Sequence, residues 1–138
     1  MLRAYVALSE GNAAAALERL EAAPWGITSQ RGGTGAAFYA HTLERYLKAE
    51  ILQALGRRDE ALGWYRSVAE FSSHGVPYMG PAALREAQHA ARAGDPALAA
   101  EHYRRFLAMW GGAEPELQPI AQGARRRLTA LVVERPSP

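Results

Sequence analysis

The chain has 138 residues, 49% of them hydrophobic, with 16 basic and 14 acidic side chains and no cysteine. This length suits one domain with a continuous core; the missing cysteines exclude disulfides and thiolate metal sites; and a net charge of +2 gives no reason to expect general nucleic-acid binding. The opening MLRAYVALSEGN is broken by Ser9, Glu10 and Gly11, too short and polar for a secretory signal or a membrane span, so a soluble, cytoplasmic chain is the default expectation.

Residues 1–10 read as a first helix with Ala4, Ala7 and Leu8 at helical spacing, and 12–23 as its partner, with Asn12 as cap, Ala16, Leu17 and Leu20 on the packing side, and Pro24 as the stop. The stretch 24–35 holds one proline and four glycines. Its GGTG end lacks the Gly-Lys-Ser/Thr ending and the preceding strand of a phosphate-cradling loop, so it reads as a connection. Trp25 within it either plugs the neighbouring hairpin or projects toward a partner.

Residues 34–55 form one long predicted helix on Phe38, Thr42, Tyr46, Ala49 and Leu52, and 59–72 its partner, burying Ala61, Leu62, Tyr65 and Val68. A loop is expected at 72–80, with Pro81 in the first turn of the next helix, where its missing N–H is not needed. That helix runs to about Ala93; 95–110 completes the hairpin, with Pro96 again in a first turn. After the break at Gly111 and Gly112, residues 113–134 carry an apolar stripe of Leu117, Ile120, Ala124, Leu128 and Leu131 and read as a closing helix, with Pro119 near its start. The ending PSP is expected to be disordered.

The hairpins are copies of one another. Gly94 placed on Gly56 aligns Ala87 with Ala49, Ala99 with Ala61, Tyr103 with Tyr65 and Phe106 with Val68; Gly11 placed on Gly56 aligns Ala4, Ala16 and Leu20 with the same positions. Small residues on either side of each turn let two helix backbones approach, and the large residue beyond fills the gap toward the next hairpin. No single hairpin of this kind covers its own apolar face, which is the logic of a helical array.

At Ala49-Gly56-Ala61-Tyr65 and Ala87-Gly94-Ala99-Tyr103, and less fully at Ala4-Gly11-Ala16-Leu20, the chain resembles the tetratricopeptide repeat family, over most of residues 1–110. The resemblance implies an all-α fold: a right-handed α-solenoid of about three hairpins (about 1–23, 35–72 and 80–110) plus a closing helix (about 115–134), some seven helices in a single domain over 1–134 with a disordered tail at 135–138. The spacings depart from the family's 34-residue period, so longer helices or loops absorb the excess. A second resemblance rests on Tyr103, Phe106, Leu107, Trp110, Ala113, Glu114, Pro115 and Leu128: this run is similar to the last repeat and terminal helix of the tetratricopeptide tails of bacterial serine/threonine kinases and related signalling regulators. It implies kinship with a regulatory tail and transfers no catalytic residue.

Nothing in the sequence announces chemistry. His41, His74, His89 and His102 form no HExxH or i, i+4 pair, the serines lack a nucleophile-elbow context, and no carboxylate pair stands at acid–base spacing. No catalytic residue, metal site or cofactor is expected. The family resemblance implies a protein or peptide partner on the inner face of the first helices, here Tyr46, Glu50, Gln53, Leu84, Gln88 and Arg92, joined by Gln122 and Arg125 of the closing helix. This mixed set does not match the lysine- and asparagine-rich carboxylate clamp of chaperone-binding members, so a C-terminal acidic peptide is disfavoured; alternatively these residues merely coat a concave surface. Two functions stay open: an adaptor, regulatory or scaffold module binding another protein, and a structural protein assembling head to tail into a ring, tube or filament through Leu2, Val6, Ala13 and Leu17 on the first hairpin. Upstream sequence of a longer repeat protein is another expected cover for that face.

Overall fold

A computed structural model describes residues 1–22, 36–68 and 76–133, with side chains from residue 42 onward in the second stretch. The described residues are all-helical, with seven α-helices: α1 Leu2–Ser9, α2 Ala13–Glu21, α3 Ala36–Ala54, α4 Arg58–Ser67, α5 Val76–Arg92, α6 Pro96–Trp110 and α7 Gln118–Val133, the last preceded by a 3-10 turn at Pro115–Leu117. They fall into two compact units, Met1–Tyr78 and Met79–Pro138, the boundary lying inside α5. The connection at 24–35 with Trp25, the stop at Pro24 and the ending at 135–138 lie outside the described residues.

One turn is built three times. Gly11, Gly56 and Gly94 have φ of 79°, 76° and 77°, the left-handed conformation that glycine adopts without a Cβ penalty. At each, the glycine N–H donates to the carbonyl three residues back and the next N–H to the carbonyl five back: Gly11 to Leu8 and Asn12 to Ala7, Gly56 to Gln53 and Arg57 to Leu52, Gly94 to Ala91 and Asp95 to Ala90. These are the paired bonds of a Schellman ending, which satisfy carbonyls the helix leaves orphaned. The residue after each glycine opens the second helix. Asn12 Oδ1 accepts from the Ala15 N–H at 3.1 Å and Asp95 Oδ1 from the Leu98 N–H at 2.9 Å. In the middle copy Arg57 stands at this place without a side-chain cap; it grips Glu60 through two bonds of 2.7 Å instead.

Packing repeats with the turn. Ala4, Ala16 and Leu20, then Ala49, Ala61 and Tyr65, then Ala87, Ala99 and Tyr103 are all at most 2% exposed. In the first unit Leu47 and Ile51 of α3 join Ala4, Ala7, Ala16 and Leu20 in one core, so α3 covers the first hairpin. The Lys48–Glu21 ion pair at 3.1 Å fastens the rim of that contact. In the second unit Ala83, Ala87 and Ala90 of α5 pack with Ala99, Tyr103 and Phe106 of α6 and Ala124 of α7. Alanine's small side chain is what permits these approaches; the aromatic rings fill the remaining volume.

Two expectations about local structure are corrected. The expected loop at 72–80 is helix from Val76 onward, so Pro81 lies inside α5, in its second turn, rather than in the first. The reason is tertiary: Gly80 is buried, and a Cβ there would come within 3.0 Å of the Trp110 indole, so the glycine gives α6 its seat on α5. Trp110 also lies 6.0 Å, centroid to centroid, from Phe106. Second, Ile120 is 45% exposed, and Ala121 takes the buried place on α7, ahead of Ala124 and the partly buried Leu128 and Leu131. Adjacent positions face different sides of a helix, and the phase of α7 turns Ala121 inward; its start is tied to the preceding turn, where Gln118 Nε2 donates to the Ala113 carbonyl and Arg125 Nη2 to the Gly111 carbonyl at 2.6 Å.

Candidate functional site

The first helix of each hairpin buries its alanine stripe and leaves the flanking positions half-exposed, and those positions hold the polar residues that the sequence singles out. On α3 these are Tyr46, Glu50 and Gln53, all half-buried. Tyr46 stacks edge-on with Tyr65 at 5.9 Å and tilts against Tyr78 at 5.3 Å, so it is a wall of the aromatic packing as well as a surface group. Glu50 Oε1 accepts the Tyr65 hydroxyl at 2.7 Å. That bond satisfies a phenol whose ring is otherwise in the core. Glu50 is thus engaged by its own hairpin rather than freely displayed.

The second unit repeats the arrangement with one change. Leu84, Gln88 and Arg92 succeed one another at four-residue steps along α5. Leu84 packs against the core, Gln88 is half-buried and Arg92 is exposed. Gln88 precedes Tyr103 by the same fifteen residues that separate Glu50 from Tyr65. Yet Gln88 Oε1 accepts from Arg85 Nη1 at 3.3 Å, and the Tyr103 hydroxyl, fully buried, has no hydrogen-bond partner among the described residues. Such an orphan donor costs about 1–3 kcal/mol. Burial pushes the Tyr103 phenol above its ordinary value of 10.0, while the charges of Arg127 and Arg92 pull it the other way.

A second buried polar pair lies in the same unit. His102 Nδ1 is 2.9 Å from Glu86 Oε2, a close approach of α6 to α5 without hydrogen-bond alignment. Among the described residues no three His, Asp or Glu side chains are placed to hold a metal ion. Neither Glu86 nor the Tyr103 orphan stands out in the sequence. The signal that finds the second is the matched fifteen-residue spacing, Tyr–Glu in one hairpin and Tyr–Gln in the next.

On α7, Gln122 and Arg125 are both exposed, Arg125 being tied to the turn at Gly111. Residues 79–138 hold eight arginines against six acidic side chains, so the whole net charge of +2 resides in this unit while residues 1–78 are balanced. Of the end-face residues, Leu2 is 76% and Val6 40% exposed; Ala13 is half-buried, and Leu17 is turned inward onto the first core. Tyr5 and Met1 extend this exposed face instead; Tyr5, three residues after Leu2 on the same side of the helix, is the member that the sequence reading passes over. Among the described residues no helix is long and apolar enough to cross a membrane. No protein-family model, curated protein or solved structure matches the chain.

Proposed function

We propose that this chain is a non-catalytic protein–protein interaction module of the tetratricopeptide kind, a right-handed solenoid of three hairpins closed by α7, which offers the first-helix faces of α3 and α5 to a protein or peptide partner. The observation that carries this reading is the threefold recurrence of one turn and one packing set, at Gly11, Gly56 and Gly94 and the nine buried positions around them. Repetition at this level spends the invariant positions on stacking and leaves the intervening ones free to vary for recognition. The half-exposed positions in between are polar and of mixed charge, as suits a surface that discriminates among partners rather than one that collapses onto any apolar chain.

A second reading, self-assembly through the first hairpin, is favoured by one observation. Leu2 and Val6 precede Leu47 and Ile51 by the 45 residues that relate the first two hairpins. Leu47 and Ile51 are covered by the preceding hairpin, whereas Leu2 and Val6 are exposed. Light scattering behind a sizing column over a hundredfold concentration range separates the two. A 15.0 kDa species at every concentration supports the module. Growth into rings or tubes that Val6→Glu dissolves supports assembly, and growth unaffected by Val6→Glu refutes assembly through this face.

A further inference from the structure

We propose that the third hairpin binds a side-chain carboxylate of its partner beside Tyr103, Gln88, Arg92 and Arg127, in the role that Glu50 fills within the second hairpin. This rests on the interaction-module reading and specifies what one position on that surface recognises.

The two hairpins supply the comparison internally. In each, a tyrosine of the second helix follows a polar residue of the first by fifteen positions and is buried in the same core place. In the second hairpin the polar residue is a glutamate, and the phenol donates to it at 2.7 Å. Glu50 is only half-buried, so a carboxylate reaches this phenol from the surface side of the first helix. In the third hairpin the polar residue is Gln88, whose oxygen is taken by Arg85, and the phenol is left with a proton and no acceptor.

The charges have changed in the same sense. Where the second hairpin has its own anion, the second unit has the exposed Arg92 on α5 and Arg127 on α7, neither with an ion pair among the described residues, and the charges of both favour an anion at the Tyr103 hydroxyl. A buried donor without an acceptor, within the field of two unpaired cations, is complementary to an anionic acceptor. The carboxylate is the anion that the sister site already accommodates. The amide of Gln88 occupies the flank and offers a further donor through its NH₂ group.

The test uses the full 138-residue chain, labelled for NMR at the tyrosine rings and arginine side chains. The probe is N-acetylglutamate α-amide, which carries one side-chain carboxylate; N-acetylglutamine amide is the neutral control and inorganic phosphate the general anion. The Tyr103 ring and the Arg92 and Arg127 Nε–H signals are expected to shift saturably with the carboxylate, with a dissociation constant on the order of 1 mM or weaker, and not with the amide. Gln88→Glu, which restores the acceptor within the chain, is expected to move Tyr103 to its bound position without probe and weaken probe binding at least tenfold. Tyr103→Phe is expected to weaken the arginine shifts severalfold, which keeps the test decisive should Gln88→Glu fold poorly. Equal shifts with the amide or with phosphate, or unchanged binding in Gln88→Glu, would overturn the assignment. A partner protein retained equally by the wild type and Gln88→Glu would also overturn it, while leaving the module reading intact.

Discussion

Gly80→Ala isolates the tertiary contact that positions α5. In an ordinary helix interior this change stabilises by about 1 kcal/mol, because alanine loses less backbone entropy than glycine. Here the added methyl would lie within 3.0 Å of three atoms of the Trp110 indole, a rigid ring that also contacts Phe106. Overpacking of this kind costs about 1–3 kcal/mol. The net expectation is a loss of about 0–2 kcal/mol in the natural chain. Trp110→Leu removes the obstruction, and in that background Gly80→Ala is expected to stabilise by about 1 kcal/mol. Urea unfolding followed by circular dichroism at 222 nm, on all four chains of the double-mutant cycle, reads a coupling of about 1–3 kcal/mol. Stabilisation by Gly80→Ala in the natural chain, or the same effect in both backgrounds, would refute the account of why α5 begins at Val76.

Three further outcomes follow from the same geometry. Gly56→Ala and Gly94→Ala, each placing a Cβ at φ near +77°, are expected to cost about 1–2 kcal/mol in urea melts although space is open around both; stabilisation by either would show that the turn is not left-handed. Removing the caps by Asn12→Ala or Asp95→Ala is expected to cost about 1 kcal/mol each, whereas Arg57→Ala, at the uncapped middle turn, should change the melt less than either. Because burial raises the Tyr103 phenol above 10.0, its contribution to stability is complete below pH 10 and is lost as pH rises through the folded-state value, since the unfolded chain ionises first. Absorbance titration at 295 nm, compared with Tyr103→Phe, should show one tyrosine ionising late, and stability of the Phe variant should fall less steeply above pH 10.

The repeat was legible because its determinants are local. A glycine between two helical patterns has one dominant use, and alanines at fixed distances on either side can only mean close helices; Gly11, Gly56 and Gly94 all carry positive φ with the expected alanines buried around them. Asn12 caps its helix, as read from its own residue type. Elements set by distant residues were not legible. Pro77 and Gly80 read locally as loop and Pro81 as the first turn of a helix, and only the indole of Trp110, thirty residues after Gly80, explains a buried glycine within α5. Ile120 looked like core by hydrophobicity, but the phase of α7 turns Ala121 inward and leaves Ile120 exposed.

The same division holds for the surface. Tyr46, Glu50 and Gln53, and Leu84, Gln88 and Arg92, were assigned to the first-helix faces through the family resemblance; they stand at half-buried or exposed positions of α3 and α5. Their engagements were not readable, because a hydroxyl reaching across fifteen residues depends on how two helices cross. Thus Glu50 is held by Tyr65, and Tyr103 is left without an acceptor. At the first hairpin, Leu17 was grouped with Leu2 and Val6 on the end face, but it is partly buried against the core of that hairpin.

The central claim is that the first-helix faces, rather than the end of the first hairpin, receive a partner. Quantitative affinity capture from cells of the source organism tests it most directly, using the natural chain, a face variant combining Gln53→Ala, Arg92→Glu and Gln122→Ala, and an end variant combining Leu2→Glu and Val6→Glu. The account predicts a defined set of proteins held by the natural chain and the end variant and lost from the face variant. Retention by the face variant, or loss from the end variant alone, would contradict it.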